Sequence, residues 1–348
     1  MKKSILAIAV ASLAASSAAI AEPTVYGNLH ISLNQADNDV DGADNNLKVS
    51  SNTSAIGVKG SEDLGNGLKA IYKAEFQILA GPGPDTTPDT GGIYGAAIST
   101  GIGVGDLTGR DQFVGLKGGW GTVKFGTMSS NYKQMGGKVD ALYRTPMEGR
   151  GFIQTQSSAL HGGKGINRGR QTHTAQYVTP TMGGFSLVAN TTFSGSNEET
   201  NGIGVRWSNK AFTVYADWID GQPGAADFCD SAANCSTESA MKLGGKFSAK
   251  AFMVALQYED AEDRTGANYV HAQGAWNINA NNALILTYGM QDRKEAAGAP
   301  SDDSTGMAVA YNHKMSKMTN VYVGYGARSE DADGEDVSML SFGIRKKF

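Results

Sequence analysis

Apolar and polar residues alternate over short stretches along most of this chain. Near residue 30, for example, Leu29, Ile31 and Leu33 fall on one side of an extended chain. His30 and Ser32, which lie between them, fall on the other side. Successive side chains of a β-strand point to opposite faces, so this period of two predicts a strand with one apolar and one polar face. Because the pattern recurs up to the last residue, the sequence predicts an all-β protein.

Short turns and long polar segments alternate between the predicted strands. The first turn contains Asn66 and Gly67, a step that supplies the positive φ of a tight hairpin. Seven such turns alternate with eight longer segments, so fifteen connections predict sixteen strands. The longer segments are residues 36–53, 79–109, 127–169, 194–201, 219–239, 260–268, 292–305 and 328–336. This rhythm is typical of an antiparallel transmembrane β-barrel with short periplasmic turns and long external loops, whereas a soluble β-sandwich explains only the strands.

The end of the chain also has the pattern of a membrane strand. Leu340 and Ile344 alternate with Ser341 and Arg345, and the chain ends on Phe348. An apolar outer face that ends on an aromatic residue fits a lipid-facing band closed by an interfacial ring. Aromatic residues that we expect near strand ends or on apolar faces are Tyr26, Tyr72, Tyr177, Phe185, Trp207, Trp218, Trp276, Tyr288, Tyr322 and Phe348.

The first residues predict export. Lys2 and Lys3 precede an apolar run, and Ala19 and Ala21 form the small-x-small pattern of a signal-peptidase site. Residues 1–21 are therefore predicted to be a cleaved signal peptide, and residues 22–348 to form one barrel domain. A transmembrane anchor is the alternative, but the run is short, and no later segment approaches the roughly 18 apolar residues of a membrane helix.

Composition narrows the class of protein further. The chain has 30 Lys+Arg and 34 Asp+Glu, and loss of Lys2 and Lys3 leaves 28 against 34, a net charge of −6 that argues against nucleic acid as a partner. It has 46 glycines and only 8 prolines, which suits curved and bulged sheets. Cys229 and Cys235 are predicted to form a loop disulfide in an exported protein, with a metal or redox pair as the alternative.

Five stretches of the sequence resemble the Gram-negative trimeric porins, in particular the neisserial and other proteobacterial general porins. They are residues 24–27, 56–70, 113–119, 121–126 and 343–348, and the second reads I-G-V-K-G-S-E-D-L-G-N-G-L-K-A. The resemblance implies a sixteen-stranded outer-membrane barrel, a homotrimer, and a third external loop folded into the pore. It also implies passive diffusion of ions and small polar solutes.

A pore constriction is the candidate functional site. We expect residues 127–169, the longest segment between strands, to fold inward and to present the acids Asp140 and Glu148. Basic residues should face them across the lumen and create a transverse field. By alternation these are Lys59, Lys73, Lys117 and Lys124, with Arg168 and Arg170 leading into the next strand. However, Ala55 and Thr127 stand where similar porins often have arginine, so the sequence does not predict an anion preference.

Two other functions stay open. A solute-specific channel would have the same strand pattern as a general one. A barrel hydrolase is the alternative from another class, although the sequence contains neither G-x-S-x-G nor H-E-x-x-H. We expect no enzymatic activity, no cofactor and no resident metal. The acidic segments at residues 37–42 and 330–336 predict either solvated loops or divalent ions bridging to lipopolysaccharide, in addition to contacts with outer-membrane lipids.

Overall fold

A computed structural model describes residues 23–38, 47–78, 107–193, 195, 199–221, 239–293, 303–330 and 336–348. The predicted signal peptide, Cys229, Cys235 and most of the acidic segments at 37–42 and 330–336 lie outside the described residues.

Seventeen strands within these ranges form one antiparallel sheet that closes on itself. The strands are β1 (Thr24–Asn38), β2 (Leu47–Ser51), β3 (Ala55–Gly65), β4 (Leu68–Gln77), β5 (Thr108–Gly118), β6 (Gly121–Ser129), β7 (Arg170–Val178), β8 (Phe185–Thr192), β9 (Thr200–Ser208), β10 (Phe212–Gly221), β11 (Ala240–Ser248), β12 (Phe252–Asp260), β13 (Ala267–Asn277), β14 (Asn282–Arg293), β15 (Ser304–Lys314), β16 (Thr319–Glu330) and β17 (Val337–Lys347). β1 pairs with β17 and closes the barrel. The backbones of Gly27 and Phe348 exchange two hydrogen bonds, of 2.9 and 3.1 Å, at the seam.

The second barrel strand is split into two parts. β2 pairs with residues 31–35 of β1, and β3 pairs with residues 24–28 of β1. Together they count as one strand, so the barrel has sixteen strands and the predicted fold is confirmed. The first long loop is shorter than predicted, because β1 continues to Asn38 and β2 begins at Leu47. Thr53 has a positive φ of 56° at the break, where Ser54 Oγ accepts a hydrogen bond of 3.0 Å from the backbone N–H of His30.

Burial is the reverse of that in a soluble protein. Apolar side chains such as Val25 and Leu286 are 61% and 59% exposed, whereas Gln257 and Ser341 are 1% and 0% exposed. An exposed apolar band around a closed sheet matches a barrel in lipid, and it rules out the soluble sandwich for the described residues. Two expected ring residues, Tyr26 and Tyr322, instead belong to the polar face. Tyr26 donates a hydrogen bond to Glu75, and Tyr322 is 4% exposed.

Three helices occur in the described residues: α1 (Asn131–Val139), α2 (Ser158–His161) and α3 (Glu262–Thr265). None of them has the length and apolar character needed to cross a membrane. Ser130 caps the N-terminus of α1, and its Oγ accepts a 3.1 Å hydrogen bond from the Lys133 backbone N–H. α1 and α2 both belong to residues 130–169, which connect β6 to β7 and which we call the inner loop. α1 contacts the strands β8–β12, so the inner loop lies inside the barrel as predicted.

Candidate pore constriction

Hydrogen bonds between polar side chains attach α1 to the far wall of the lumen. Asn131 Nδ2 donates to Asp217 Oδ1 at 3.2 Å and to the Trp218 carbonyl at 2.9 Å. The Tyr132 hydroxyl donates to Glu259 Oε2 at 3.1 Å, and the imidazole of His161 in α2 lies 2.9 Å from Glu259 Oε1. Glu259 is therefore the point at which both helices of the inner loop meet the barrel.

The charges buried beneath α1 balance one another. Lys242 has a fully buried side chain, donates to the carbonyl of Tyr132 and lies 3.7 Å from Asp217. Arg206 donates to the carbonyl of Asn131 at 2.9 Å and lies 3.4 Å from Asp217. A buried charge is tolerated only when it is paired and hydrogen-bonded, so these contacts hold the loop in one position.

The second half of the inner loop rests on an apolar surface inside the barrel. Met147, Phe152 and Ile153 pack against residues of β14–β17 in a buried cluster. The contact is so close at Gly306 that a Cβ atom there would stand 2.0 Å from the Ile153 carbonyl oxygen, so only glycine fits without a shift of the loop. The loop is therefore fixed at both ends of its path across the lumen.

Asp140, expected to face the pore, lies 4% exposed within the inner loop. Its carboxylate accepts hydrogen bonds from the backbone N–H groups of Leu142 (2.8 Å) and Gly149 (2.9 Å) and from Gln273. Burial raises the pKa of Asp140 to about 7, against the effect of the backbone hydrogen bonds. This carboxylate closes a turn of the loop rather than presenting charge to solutes.

Glu148, the other expected acid, is paired within the inner loop. Arg150 Nε donates to Glu148 Oε1 at 2.7 Å, and the Arg144 backbone N–H donates to Glu148 Oε2 at 2.8 Å. The guanidinium groups of Arg144 and Arg150 both stack on the ring of Tyr143, at 5.4 and 5.1 Å from its centroid. Glu148 is therefore neutralised by a guanidinium group of its own loop.

The lumen wall formed by β4, β5 and β7 carries a chain of ion pairs. Arg110 Nε lies 2.7 Å from Glu75 Oε1, and Lys73 Nζ lies 3.1 Å from Glu75 and 2.9 Å from Asp111. Arg170 Nε, at the end of the inner loop, lies 2.8 Å from the second oxygen of Asp111. Three cations therefore share two carboxylates along β4, β5 and β7.

The other four basic residues that were predicted to line the constriction lie in different parts of the barrel. Lys59 is paired in register with Lys73, and its Nζ lies 5.1 Å from the centroid of the Tyr26 ring. Lys124 donates a 2.7 Å hydrogen bond to Gln176, which also accepts one from Gln134 of α1. By contrast, Lys117 is exposed beside the turn between β5 and β6, away from the inner loop. Arg168 lies near Gly163 and Gly165, close to the point where the inner loop joins β7.

A family model described as Gram-negative porin matches residues 7–333. The chain belongs to the Gram-negative porin family. This membership agrees with the sixteen-stranded barrel and the inner loop, and the resemblance seen in the sequence is confirmed. Family and fold together place this porin in the outer membrane.

Individual relatives support the same family. The major outer membrane protein P.IB of Neisseria gonorrhoeae is 31% identical over 222 residues, which are 61% of this chain and 55% of that protein. The chain thus spans about half the length of the neisserial relatives it matches. An outer membrane porin protein of Bordetella pertussis is 25% identical over 412 residues and is matched over 100% of both chains. An anion-selective porin from Comamonas acidovorans has a similar fold, with a TM-score of 0.72, 19% identity and coverage of 94% of this chain and 99% of that one.

Several charged residues of the porin lumen were not among the sequence candidates. They are Glu75, Arg110, Asp111, Arg144, Arg150, Arg206 and Arg345. Alternation gave a signal for Glu75, Arg206 and Arg345, because each shares a face with polar neighbours on its strand. It gave none for Arg110, which reaches the lumen through an irregularity between β4 and β5.

A pH-dependent loss of stability is expected from His161. Burial lowers the pKa of His161 from 6.5 to about 4, against the attraction of Glu259. The contribution of His161 to the free energy of unfolding is fully present above pH 6.5. It is lost as the pH falls towards 4, because in this range His161 is protonated only in the unfolded chain. Relative to His161→Asn, the wild-type free energy of unfolding should fall by about 3 kcal/mol between these values.

Urea unfolding in lipid vesicles at several pH values measures this difference. Asp140 titrates in the opposite sense, since its pKa is raised, but it is present in both proteins and cancels in the comparison. Parallel curves for the wild type and His161→Asn would show that His161 is not held neutral.

Proposed function

We propose that this porin forms a water-filled channel for passive diffusion of small hydrophilic solutes, with a preference for anions. The observation that carries the proposal is the excess of cations over carboxylates where the inner loop narrows the lumen. The cations are Lys59, Lys73, Arg110, Lys124, Arg144, Arg150, Arg170 and Arg206. The carboxylates beside them are Glu75, Asp111, Glu148 and Asp217.

The position of these groups supports a positive constriction. Each of the four carboxylates lies in an ion pair with at least one cation, so its field is largely neutralised at the distance of a passing ion. Lys59 and Lys124 form no ion pair with any residue that the structure describes, and they add positive potential. A narrow aqueous lumen then raises the local concentration of anions over cations.

A homotrimer in contact with outer-membrane lipid and lipopolysaccharide is part of the proposal. The resemblance to trimeric porins supports the trimer, and the exposed apolar band of Leu340, Phe342 and Ile344 is the surface that lipid or a neighbouring subunit would cover. The acidic loop ends, such as Asp336, supply oxygen ligands suitable for divalent ions that bridge to phosphate.

The hydrolase alternative gains no support from the histidines. Among the residues that the structure describes, no imidazole is hydrogen-bonded to a serine hydroxyl. Their side-chain partners are Tyr322, Thr155, Glu259 and Asn282. The His271–Thr155 pair lies buried between β13 and the inner loop, where a lipid substrate has no access.

Solute flux into liposomes tests the diffusion function. Reconstituted protein should admit sugars with a smooth size cutoff, and an anion should enter faster than a cation of similar size. A saturable rate for one sugar would indicate a solute-specific channel. Absence of both swelling and bilayer conductance, with phospholipid hydrolysis present, would overturn the proposal in favour of the enzyme.

A further inference from the structure

The lumen side of the barrel is basic at the end that carries the short turns. Leu116 and Ile344 belong to the exposed apolar band, so alternation turns their neighbours Lys117 and Arg345 towards the lumen. The same alternation and the strand registers place four further lysines on this face. The whole group, which we call the basic mouth, comprises Lys69, Lys117, Lys246, Lys314, Arg345 and Lys347.

Two lysines of the basic mouth stand directly opposite each other. Lys69 of β4 is the register partner of Lys117 of β5, and both side chains are exposed. Like charges in this position destabilise a sheet, because directly opposite side chains begin only about 5 Å apart. Lys314, Asn320 and Arg345 follow one another in register across β15, β16 and β17, so a single neutral residue separates a second pair of cations. The barrel therefore concentrates positive charge here at the expense of its own stability.

Counter-charges are scarce at the basic mouth. None of its six cations forms an ion pair with a residue in the described ranges, where the lumen ion pairs belong to other side chains. Asp63 is the register partner of Lys69, but its Oδ1 accepts a 2.9 Å hydrogen bond from the Gly65 backbone N–H and so closes the turn. The seven short turns contain no Asp or Glu. The basic mouth therefore attracts its counter-ions from solution.

The carboxylates of the lumen lie further along the barrel. Glu75 is six residues beyond Lys69 on β4, which is about 20 Å along the strand. Asp111 pairs with cations at the constriction, and Asp217 and Glu259 are buried beneath α1. Since the Debye length is about 8 Å at physiological salt, carboxylates at this distance do not compensate the basic mouth. The conduction path is therefore asymmetric in charge between the turn end and the constriction.

The basic mouth is continuous with the inner loop. Lys246 donates a 3.0 Å hydrogen bond to the carbonyl of Lys138, an exposed basic residue in the last turn of α1. This contact brings a further cation next to the six of the mouth. Anions that gather at the turn end therefore lie directly beside the narrow part of the lumen.

We propose that the basic mouth is a second selectivity element, which collects small anions at the turn end and makes the channel rectify. Anions driven into the lumen from this end start from a raised local concentration, whereas anions driven from the long-loop end do not. The current is therefore larger when anions enter through the basic mouth. Because the short turns of membrane barrels lie in the periplasm, this direction runs from the periplasm to the exterior. The proposal deepens the proposed function and rests on its claim that the lumen conducts.

Single-channel recording in dilute KCl tests the basic mouth. At equal voltages of opposite sign, each inserted wild-type channel should carry currents that differ by about twofold in roughly 0.1 M KCl. The current ratio should approach one in roughly 1 M KCl, where the Debye length falls to about 3 Å. Lys69→Gln with Lys117→Gln should lower the ratio in dilute salt. Addition of Lys314→Gln and Lys347→Gln should bring it close to one.

A charge of the same sign at the other end of the barrel is the matched control. Lys164 is exposed beside Arg170, where β7 begins, and Lys164→Gln removes the same charge as Lys117→Gln. Only Lys117→Gln should lower the current ratio. Lys69→Gln with Lys117→Gln should unfold at a urea concentration no lower than the wild type, because it removes a like-charge pair. Equal wild-type currents at both polarities, or an undiminished ratio in the quadruple variant, would overturn the basic mouth.

An acidic polymer added to one chamber determines the direction. Long poly-glutamate should reduce the current when its chamber faces the basic mouth, and that chamber must be the one from which anions enter at the higher current. Reduction from the opposite chamber alone would overturn the proposed direction of rectification.

The same recordings distinguish the basic mouth from the proposed function. An anion-selective reversal potential with equal currents at both polarities overturns the mouth and leaves the channel. Rectification that the quadruple variant abolishes, in a cation-selective pore, supports the mouth and overturns the overall anion preference. Absence of any conductance overturns both.

Discussion

Replacement of Lys59 and Lys124 together by glutamate should reverse the ion preference of the channel. The double substitution changes the lumen charge by four units without breaking an ion pair, since neither lysine forms one with a described residue. A unit charge about 8 Å from an ion contributes about 0.5 kcal/mol in water. Four units therefore disfavour an anion by about 2 kcal/mol and favour a cation by about 2 kcal/mol, which is about thirtyfold in the permeability of each ion, less the screening by salt. The reversal potential under a KCl gradient measures the ratio of the two permeabilities.

A matched control makes the charge-reversal result specific to the constriction. Lys210→Glu with Lys250→Glu has the same change in net charge, but both lysines are exposed in turns at the end of the barrel. These variants should shift the reversal potential only slightly at high salt, because their charges lie beyond the Debye length from the narrow region. Equal shifts in both double variants, or no shift in either, would contradict the assignment of Lys59 and Lys124 to the constriction.

Replacement of Glu259 by alanine should loosen the inner loop. Glu259 accepts hydrogen bonds from Tyr132 and Gln257 and contacts His161, and it is 0% exposed. Its removal leaves these groups unsatisfied and leaves Lys242 with less compensating charge. Loss of one partner of a buried charged network costs about 3–5 kcal/mol. We expect a lower free energy of unfolding by this amount, measured by urea titration in vesicles, and larger, noisier single-channel currents.

The conservative variant separates anchoring from packing. Glu259→Gln keeps the volume and most of the hydrogen-bonding capacity, so it should lose less stability than Glu259→Ala and keep quieter currents. If both variants unfold at lower urea but conduct as the wild type does, Glu259 stabilises the barrel without holding the loop. Wild-type stability in Glu259→Ala would contradict the network itself.

Local patterns account for most of the fold that the sequence predicted. Alternation along one strand is a property of a few neighbouring residues, and each short turn fixes the register of the next strand. The sixteen strands and their antiparallel order were therefore accessible from these patterns, whereas the inward third loop was predicted from the resemblance to porins. The split between β2 and β3 was not, because it depends on Ser54 bonding to His30 across the sheet.

The charges of the constriction depend on contacts that no local pattern contains. Ala74 and Phe76 of β4 stand opposite Gln112 and Gly109 of β5, so β5 carries one extra residue between them. This bulge lets Arg110 and Asp111, which are neighbours in sequence, both bond to lumen groups of β4. Alternation would have sent one of the two outward.

The role of Asp140 in the inner loop was also not predictable from local sequence patterns. In sequence it is one of two acids in a long polar segment, which suggested a pore-facing charge. In the structure it caps the backbone N–H groups of Leu142 and Gly149, nine residues apart from the latter. Only the folded path of the loop reveals that the Asp140 carboxylate binds backbone N–H groups of the loop.

The reversal potential of the wild-type channel tests the central claim most directly. Purified protein in a neutral planar bilayer, under a tenfold KCl gradient, should show a zero-current potential of the sign set by chloride permeating faster than potassium. The excess of cations at the inner loop predicts this sign. A potential of the opposite sign, with potassium favoured, would contradict the account of the constriction.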